Sequence, residues 1–445
     1  MATATPAPAA GALTPRGFRL ALAGAAVAGL AARVAYGLAT KDPEGFTGDA
    51  LWYHLVANNL ADGHGYVEPF EIVSRTDVQL GIGADPVPTA FHLPLFPTVL
   101  AGFSLAGLDG ETAHMLVGCS LGALAVVLVG VLGRRLAGPA TGLAAAALAA
   151  LYPPLVMNDS VLLSESLTGP TIAGALLAAL WLRERPSAPR ALLLGVLVGL
   201  AALNRSEAIL LLVLLAIPAA VLAGGAQLRN AALVCVAALV TIAPWVIRNA
   251  VTFDEPTFLT TGDGSVLYGA NCPDSYYGPG TGGWSFPCLV ASAEATGLTR
   301  DESVLSARWR DDALDYARDN AGRVPIVMTV RVLRSFSLYP SPARQVRELA
   351  FIEDRPRPLV WVGLVTYAVV AIAAVAGALR VRRDRLTVVA MLAPLVLVVL
   401  TSAGGYGAWR FRQAAEVSLV SLAGVAVAAP WRAATGRAAQ RGAPV

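Results

Sequence analysis

Eleven apolar runs divide this chain of 445 residues, at 20–38, 93–108, 113–133, 137–153, 161–182, 191–203, 208–224, 231–247, 359–379, 386–402 and 414–429. Crossing a hydrocarbon core of about 30 Å takes about 20 apolar residues per helix. Inside that core each backbone polar group must find its partner within the protein, so the runs are expected to be helices. The composition, 56% hydrophobic and 14% charged, excludes an ordinary soluble domain. The expected fold class is an all-α polytopic membrane protein, with the lipid bilayer as its solvent.

Eleven runs do not require eleven spans, and arginine placement decides. Arg16 and Arg19 precede the first run, which has no small-residue cleavage site and reads as a retained anchor. With those arginines inside, a spanning 93–108 run would put Arg134, Arg135, Arg183, Arg185 and Arg190 outside. If that run instead lies along the outer face, these residues, Arg229, Arg380–Arg385 and Arg432, Arg437 and Arg441 all fall inside. Pro94 and Pro97 suit a broken, non-spanning segment. Ten spans are therefore expected, with the eleventh segment juxtamembrane.

This threading leaves two large outer loops. Residues 1–18 read as a disordered cytoplasmic N-terminus and 19–249 as a transmembrane module carrying the first outer loop, 40–111. The second loop, 250–358, is followed by the C-terminal transmembrane helices, 359–430, and a cytoplasmic tail, 431–445. Cys272 and Cys288 share one polar stretch of the second loop, and an oxidising exterior makes a disulfide the natural reading, worth about 3 kcal/mol. Two free thiols are the alternative, and metal binding is disfavoured because no histidine neighbours them. Cys119 and Cys235 lie in apolar runs. Residues 311–338 read as one helix with an apolar stripe of Ile326, Val327, Val330 and Leu333, lying in the interface plane. No basic run with interleaved aromatics points to nucleic acid. The lack of a nucleotide-binding glycine loop argues against an ATP-driven pump.

A few ionisable residues remain to be explained. Asp49 follows Gly48 at the head of an amphipathic helix expected over 50–62, and it is either an N-cap or a reagent. Glu165 lies about one turn inside an apolar run, where a carboxyl is a functional candidate or the partner of an arginine. Asp159, nearer the loop, takes the structural reading. Arg205 and Glu207 sit in a polar turn between two short runs, at membrane depth, and must pair with each other or face a wet cavity. Arg33, Arg205, Arg248, Arg410 and Arg412 all fall near outer span ends. Each alone can snorkel to headgroups, but together their planar forks suit phosphate oxygens. A carboxylate base beside a phosphate clamp suggests group transfer from a phosphorylated lipid.

At these residues the sequence resembles the GT-C integral-membrane glycosyltransferases, specifically the protein O-mannosyltransferases and the lipid A aminoarabinose transferase. The resemblance runs nearly end to end. It rests on Gly48, Asp49 and Tyr53 followed by AspGlyHisGlyTyr (62–66), on PheHisLeuProLeuPhePro (91–97), and on SerGlu (164–165). LeuAsnArgSerGlu (203–207), ProTrpValIleArgAsn (244–249), LeuTyrGlyAlaAsn (267–271) and ArgPheArg (410–412) continue it in order. The sequence departs from the family in ending soon after the last run, and in carrying His92 where some relatives have lysine.

The resemblance implies a GT-C fold with an extracytoplasmic active site and a cytoplasmic N-terminus. It also implies inverting transfer of a sugar from a polyprenyl-phosphate donor to a glycan, lipid or protein acceptor. Asp49 would take the acceptor's proton and Glu165 would assist. Tyr53, His54, His92, Arg33, Arg205, Arg248, Asn271, Arg410 and Arg412 would bind substrate, the arginines holding phosphate. Relatives differ in using a divalent cation, so that cofactor stays open, and no metal ligands are assigned. A flippase for lipid-linked sugars is the competing class. It would need polar groups along a whole path, whereas here they crowd one face. The orientation predicts that a cysteine replacing Asp312 reacts with an impermeant thiol reagent on intact cells and one replacing Arg383 does not. The opposite pattern inverts the topology.

Overall fold

The computed structural model describes residues 14–42, 44–72, 78–80, 86–296 and 301–441. The expected disorder over 1–13, the last four residues of the tail and parts of the first outer loop lie outside them. Helix α1 (Pro15–Thr40) opens with Pro15 at its first position and the Thr14 hydroxyl accepting from Gly17 N at 3.0 Å. Helices α2 (Gly48–Ala61) and α3 (Leu95–Ser104) belong to the first long loop. Then α4 (Glu111–Ala137) carries an acid in its first turn and Arg134 and Arg135 in its last, each sign matched to the helix dipole. It stops at Gly138, whose φ of 93° is open to glycine but costly for other residues.

The chain continues through α5 (Pro139–Leu151), α6 (Pro153–Asp159), α7 (Glu165–Glu184) and α8 (Ala188–Asn204). A segment of changing helical pitch, Ser206–Leu210 then Leu212–Ala216, runs into α9 (Ile217–Leu222) and is followed by α10 (Gln227–Thr252). The second loop holds α11 (Gly262–Ala270), α12 (Pro273–Tyr276), α13 (Phe286–Thr296), α14 (Glu302–Asp319), α15 (Val324–Ser335) and α16 (Pro342–Ile352). The last helices are α17 (Arg357–Val381), α18 (Arg385–Gly404) and α19 (Gln413–Arg441). One short antiparallel pair, Phe70–Ile72 with Val78–Leu80, is the exception to an otherwise helical molecule among the described residues.

Among those residues seven helices are long and apolar enough to cross a membrane, and the α5–α6 pair, bent by 57°, makes an eighth candidate. The other two of the ten expected spans are α8 and the Ser206–Leu222 segment, apolar but short. The polar turn at 204–207 interrupts what would otherwise be one long apolar stretch. At ten residues, α3 is too short to span, in keeping with its two prolines. The chain is a multi-pass membrane protein.

Helices α7 and α19 are the most buried, while α1, α10 and α17 turn much of their surface outward. Val240, Val369 and Ile372 are among the exposed apolar side chains there, and exposure of this kind is stable only against lipid. Between helices, small residues permit close approach. A Cβ on Gly142 would fall 2.5 Å from the Gly130 carbonyl, and one on Gly377 would collide with the Leu422 carbonyl.

The second loop corrects one expectation. Residues 311–338 are not one helix: α14 ends at Asp319 and α15 begins at Val324, with Pro325 in its first turn. A proline that cannot continue a helix starts one readily. Nor is α15 free in the interface plane. Val327 and Arg331 are buried, and Arg331 donates to Ala403 O on α18 at 3.1 Å and to Ala270 O.

A disulfide joins Cys272 to Cys288, whereas Cys119 and Cys235 are free. Non-reducing peptide mapping should recover the 272–288 crosslink, with the other two thiols open to alkylation after denaturation. Recovering both loop cysteines as free thiols from an oxidising compartment would refute the bridge.

Candidate active site

The helix ends that meet the loops enclose a cavity of about 1390 Å³. Its wall gathers the N-termini of α2 and α7, the C-termini of α1, α8 and α18, and the turn before α19. Both acids named from the sequence lie in the first turns of α2 and α7, where the positive end of the helix dipole favours a carboxylate.

Asp49 does not cap its helix. Thr47 occupies the N-cap position and no side chain caps the helix there. The Asp49 carboxylate instead lies 3.6 Å from His92 Nε2 and 3.3 Å from Arg410 Nη1, and its side chain is 38% exposed. Burial pushes its pKa up, but His92 and Arg410 together outweigh that and hold it well below the usual carboxylate range. His92 sits against two rings, Trp52 at 4.7 Å and Tyr53 at 4.8 Å between centroids. Its carbonyl accepts from the Tyr66 hydroxyl at 2.9 Å.

Glu165 is buried. Its Oε1 accepts from Arg205 Nη1 at 3.1 Å and lies 3.8 Å from Arg410 Nε. Arg205 also donates from Nε to Glu207 at 2.6 Å. Its guanidinium lies 5.1 Å from the centre of the Phe411 ring, a favourable cation–π separation. Arg410 thus faces both Asp49 and Glu165, and Arg205 faces both Glu165 and Glu207. The pairing of Arg205 with Glu207, expected from their spacing, is present, but Arg205 still lines the cavity.

Asp49, Tyr53, His92, Glu165, Arg205 and Arg410 therefore share one cavity. Five other candidates do not reach it, and each is corrected by its partners. Arg33 is fully buried, with Nε bonded to Asp159 at 2.9 Å and its remaining donors on the carbonyls of Gly29, Ala149 and Ala150. Removing one partner of such a buried pair costs about 3–5 kcal/mol. The space for its side chain is made by Gly122, where a Cβ would strike Arg33 Nε. Arg412 bonds Glu416 at 2.5 Å and stacks on Tyr367. Arg248 ties down the carbonyls of Thr89 at 2.9 Å and Tyr66 at 3.1 Å. Asn271 accepts from Tyr276 at 2.8 Å and Arg331 at 3.0 Å. His54 turns to His114, with Nδ1 atoms 3.0 Å apart.

Other cavity residues were not singled out from the sequence, among them Tyr406, Glu353 and Trp284. The Tyr406 hydroxyl lies 3.5 Å from Arg410 Nη2, Glu353 accepts from Trp409 at 3.1 Å, and Trp284 lines the wall. Tyr406 had a signal, since it stands between glycines four residues before Arg410. Glu353 and Trp284 had none, because distant loops place them.

Among the described residues no three His, Cys, Asp or Glu side chains converge as metal ligands would. Asp49 and Glu165 share a guanidinium where a cation would have to sit, so this donor set does not fit a divalent metal.

Residues 91–247 match the model of the dolichyl-phosphate-mannose-protein mannosyltransferase family. No curated protein sequence matches significantly. Among solved structures, the chain is similar to the archaeal oligosaccharyltransferase AglB from Archaeoglobus fulgidus in complex with an inhibitory peptide and a dolichol-phosphate. The identity is 16% and the TM-score 0.54, over 96% of this chain and 52% of that one. The same enzyme in complex with zinc and sulfate gives 16% and 0.52, over 94% and 50%. ArnT from Cupriavidus metallidurans, bound to undecaprenyl phosphate, is 18% identical over 95% and 80% of the two chains, but its TM-score of 0.40 is too low to bear on the fold. The chain spans about half the length of the oligosaccharyltransferase it matches. Residues 91–247 thus carry the family match, and the fold of the chain is similar to that of the archaeal oligosaccharyltransferase.

Proposed function

We propose that the protein is an inverting glycosyltransferase. It moves a sugar from a polyprenyl-phosphate donor to an acceptor hydroxyl, at a site on the extracytoplasmic side of the membrane. The observation that carries this reading is the alternation Asp49–Arg410–Glu165–Arg205–Glu207 along one cavity wall. It places two guanidinium groups beside an exposed carboxylate at the mouth of an apolar bundle.

The reaction balances with one base. The acceptor oxygen attacks the anomeric carbon from the face opposite the phosphate, and the bond from that carbon to the phosphate oxygen breaks. Polyprenyl phosphate leaves as an anion held by Arg205 and Arg410, so it needs no proton from an acid. Asp49 takes the proton of the acceptor hydroxyl. Glu165 has no open face for that role, being buried against both arginines, and serves to hold them.

The resting site also implies an order of binding. While His92 and, to a smaller extent, Arg410 face Asp49, the carboxylate is a weak base, because its pKa is held low. A donor phosphate that draws Arg410 to itself removes part of that hold and lets Asp49 rise toward the ordinary carboxylate range. Donor binding before acceptor activation follows from this exchange.

Incubating the purified protein with a panel of polyprenyl-phosphate sugars and following release of polyprenyl phosphate tests the assignment. No release from any donor, with any hydroxyl acceptor supplied, refutes it. Asp49→Asn should leave folding intact, since Asp49 is no cap, and should lower turnover by about 10²–10⁴-fold. Near-normal turnover would exclude Asp49 as the base. The pH dependence has a definite sign. A carboxyl with a lowered pKa gives up its charge, and the stability tied to it, only as pH falls through that low value. Asp49 should therefore add no acid limb between about pH 5 and 8.

Arg205→Lys keeps the charge but loses the planar fork. Donor affinity, measured by titration with polyprenyl phosphate, should weaken by about 1–3 kcal/mol. Unchanged affinity would show that Arg205 serves only its two carboxylate neighbours.

A further inference from the structure

The cavity has a second wall that the transfer chemistry leaves unassigned. A row of rings leads away from Arg410. Phe411 meets Tyr406 at 4.6 Å between centroids, Tyr406 meets Trp284 at 6.2 Å, and Trp284 meets Phe286 at 6.0 Å. The planes of Trp284 and Tyr406 are inclined by only 34°, and those of Trp284 and Phe286 by 39°. Such shallow angles make a stepped platform, unlike the edge-to-face contacts that surround Trp52. The platform is open, with Trp284 38% exposed and Phe286 63%.

Trp284 is nevertheless fixed. Its indole N–H donates to Ser265 O at 3.0 Å, and the ring lies on Gly269, where a Cβ would strike the indole nitrogen. The segment that carries it is closed by the Cys272–Cys288 disulfide. A large aromatic surface held rigid and left uncovered on a cavity wall loses little entropy when a ligand covers it.

The polar groups around the platform indicate what kind of ligand. Arg334 and Glu348 form a pair 3.0 Å apart and both line the cavity, and Arg334 also holds the carbonyl of Thr281 at 2.7 Å. Glu353 lines the cavity on the side of Arg410. A pyranose presents a flat C–H face that packs on an aromatic plane, and a rim of hydroxyls that donate to carboxylates and accept from guanidinium. A membrane anchor made of exposed rings would sit among lipid headgroups, whereas Trp284 and Tyr406 line a cavity with charged groups beside them and the indole fixed from beneath.

We propose that Trp284 and Tyr406 form a pyranose-binding subsite that stacks one sugar ring beside Arg410. The inference deepens the glycosyl-transfer reading and rests on it for why a sugar enters this cavity. The ring belongs to the acceptor glycan or to the donor sugar, and the two sources separate by experiment.

The test uses the full-length protein in lipid nanodiscs. Saturation-transfer NMR is run with methyl α-mannopyranoside, methyl β-glucopyranoside, methyl β-galactopyranoside and their trisaccharides as probes. At least one probe should show saturation concentrated on the C–H protons of one ring face. Trp284→Ala should weaken its apparent affinity by about tenfold, in the range of a single aromatic contact, while Trp284→Phe should retain most of it. Recovery of the 272–288 crosslink in each variant confirms that the loop has folded. No saturation from any probe, or an unchanged signal in Trp284→Ala, overturns the subsite.

Kinetics then assign the ring. A raised acceptor KM at unchanged kcat in Trp284→Ala places the acceptor there. Weaker binding of the sugar-bearing donor, with bare polyprenyl phosphate bound as before, places the donor sugar there. Sugar binding is read without turnover, so binding without any polyprenyl phosphate release would sink the transfer reading and leave the subsite standing. Normal turnover with both KM values unchanged in Trp284→Ala would sink the subsite alone.

Discussion

Charge inside a low-dielectric bundle is tolerable only when it is paired, and much of this structure is arranged around that requirement. Arg33 with Asp159 and Arg412 with Glu416 are nearly inaccessible to solvent, and each pair is completed by carbonyls or hydroxyls that take the remaining donors. The same requirement shapes the cavity. There Arg205 and Arg410 are held among three carboxylates and stay accessible on one side. The cavity guanidinium groups therefore keep a face open to an entering ligand, whereas the interior pairs offer no such opening.

The interior pairs also reach toward the cavity through hydrogen bonds. Asp159 accepts from Gln413 at 3.1 Å, and Gln413 accepts from Asn158 at 2.9 Å. Arg355 donates to the Met157 carbonyl beside them and lies 3.4 Å from Glu353, which accepts from Trp409 on the cavity wall. Arg410 and Arg412 are neighbours with different duties as a result. The short turn before α19 points one into the cavity and the other into the bundle.

The loops are fixed by the same economy of partners. Half-buried Glu302 accepts from the Ala90 amide and the Thr261 hydroxyl at 2.5 Å each, and from the Thr89 hydroxyl at 2.9 Å. One carboxylate so binds the two long loops together just ahead of His92. Arg248 on α10 donates to the carbonyl of that same residue, Thr89. With Tyr66 O as its other backbone acceptor, it bonds the stretch of chain just before His92.

Much of this was legible in the residues alone, for physical reasons that particular positions make plain. Lipid demands long apolar helices, so the runs determined the bundle, and Pro94 and Pro97 marked the segment that does not span. Charges set in or beside apolar runs determined that Asp49, Glu165, Arg205 and Arg410 needed explaining, because unpaired charge is costly there. Tertiary structure alone decided which of five arginines face the cavity. A guanidinium at a span end can turn inward or outward at equal local cost, and only partners far along the chain, such as Asp159 for Arg33, settle the choice. The same holds for Trp284, whose place on the wall depends on Gly269 and Ser265 packing beneath it. Local sequence dictates what a residue can do, and distant neighbours dictate where it is allowed to do it.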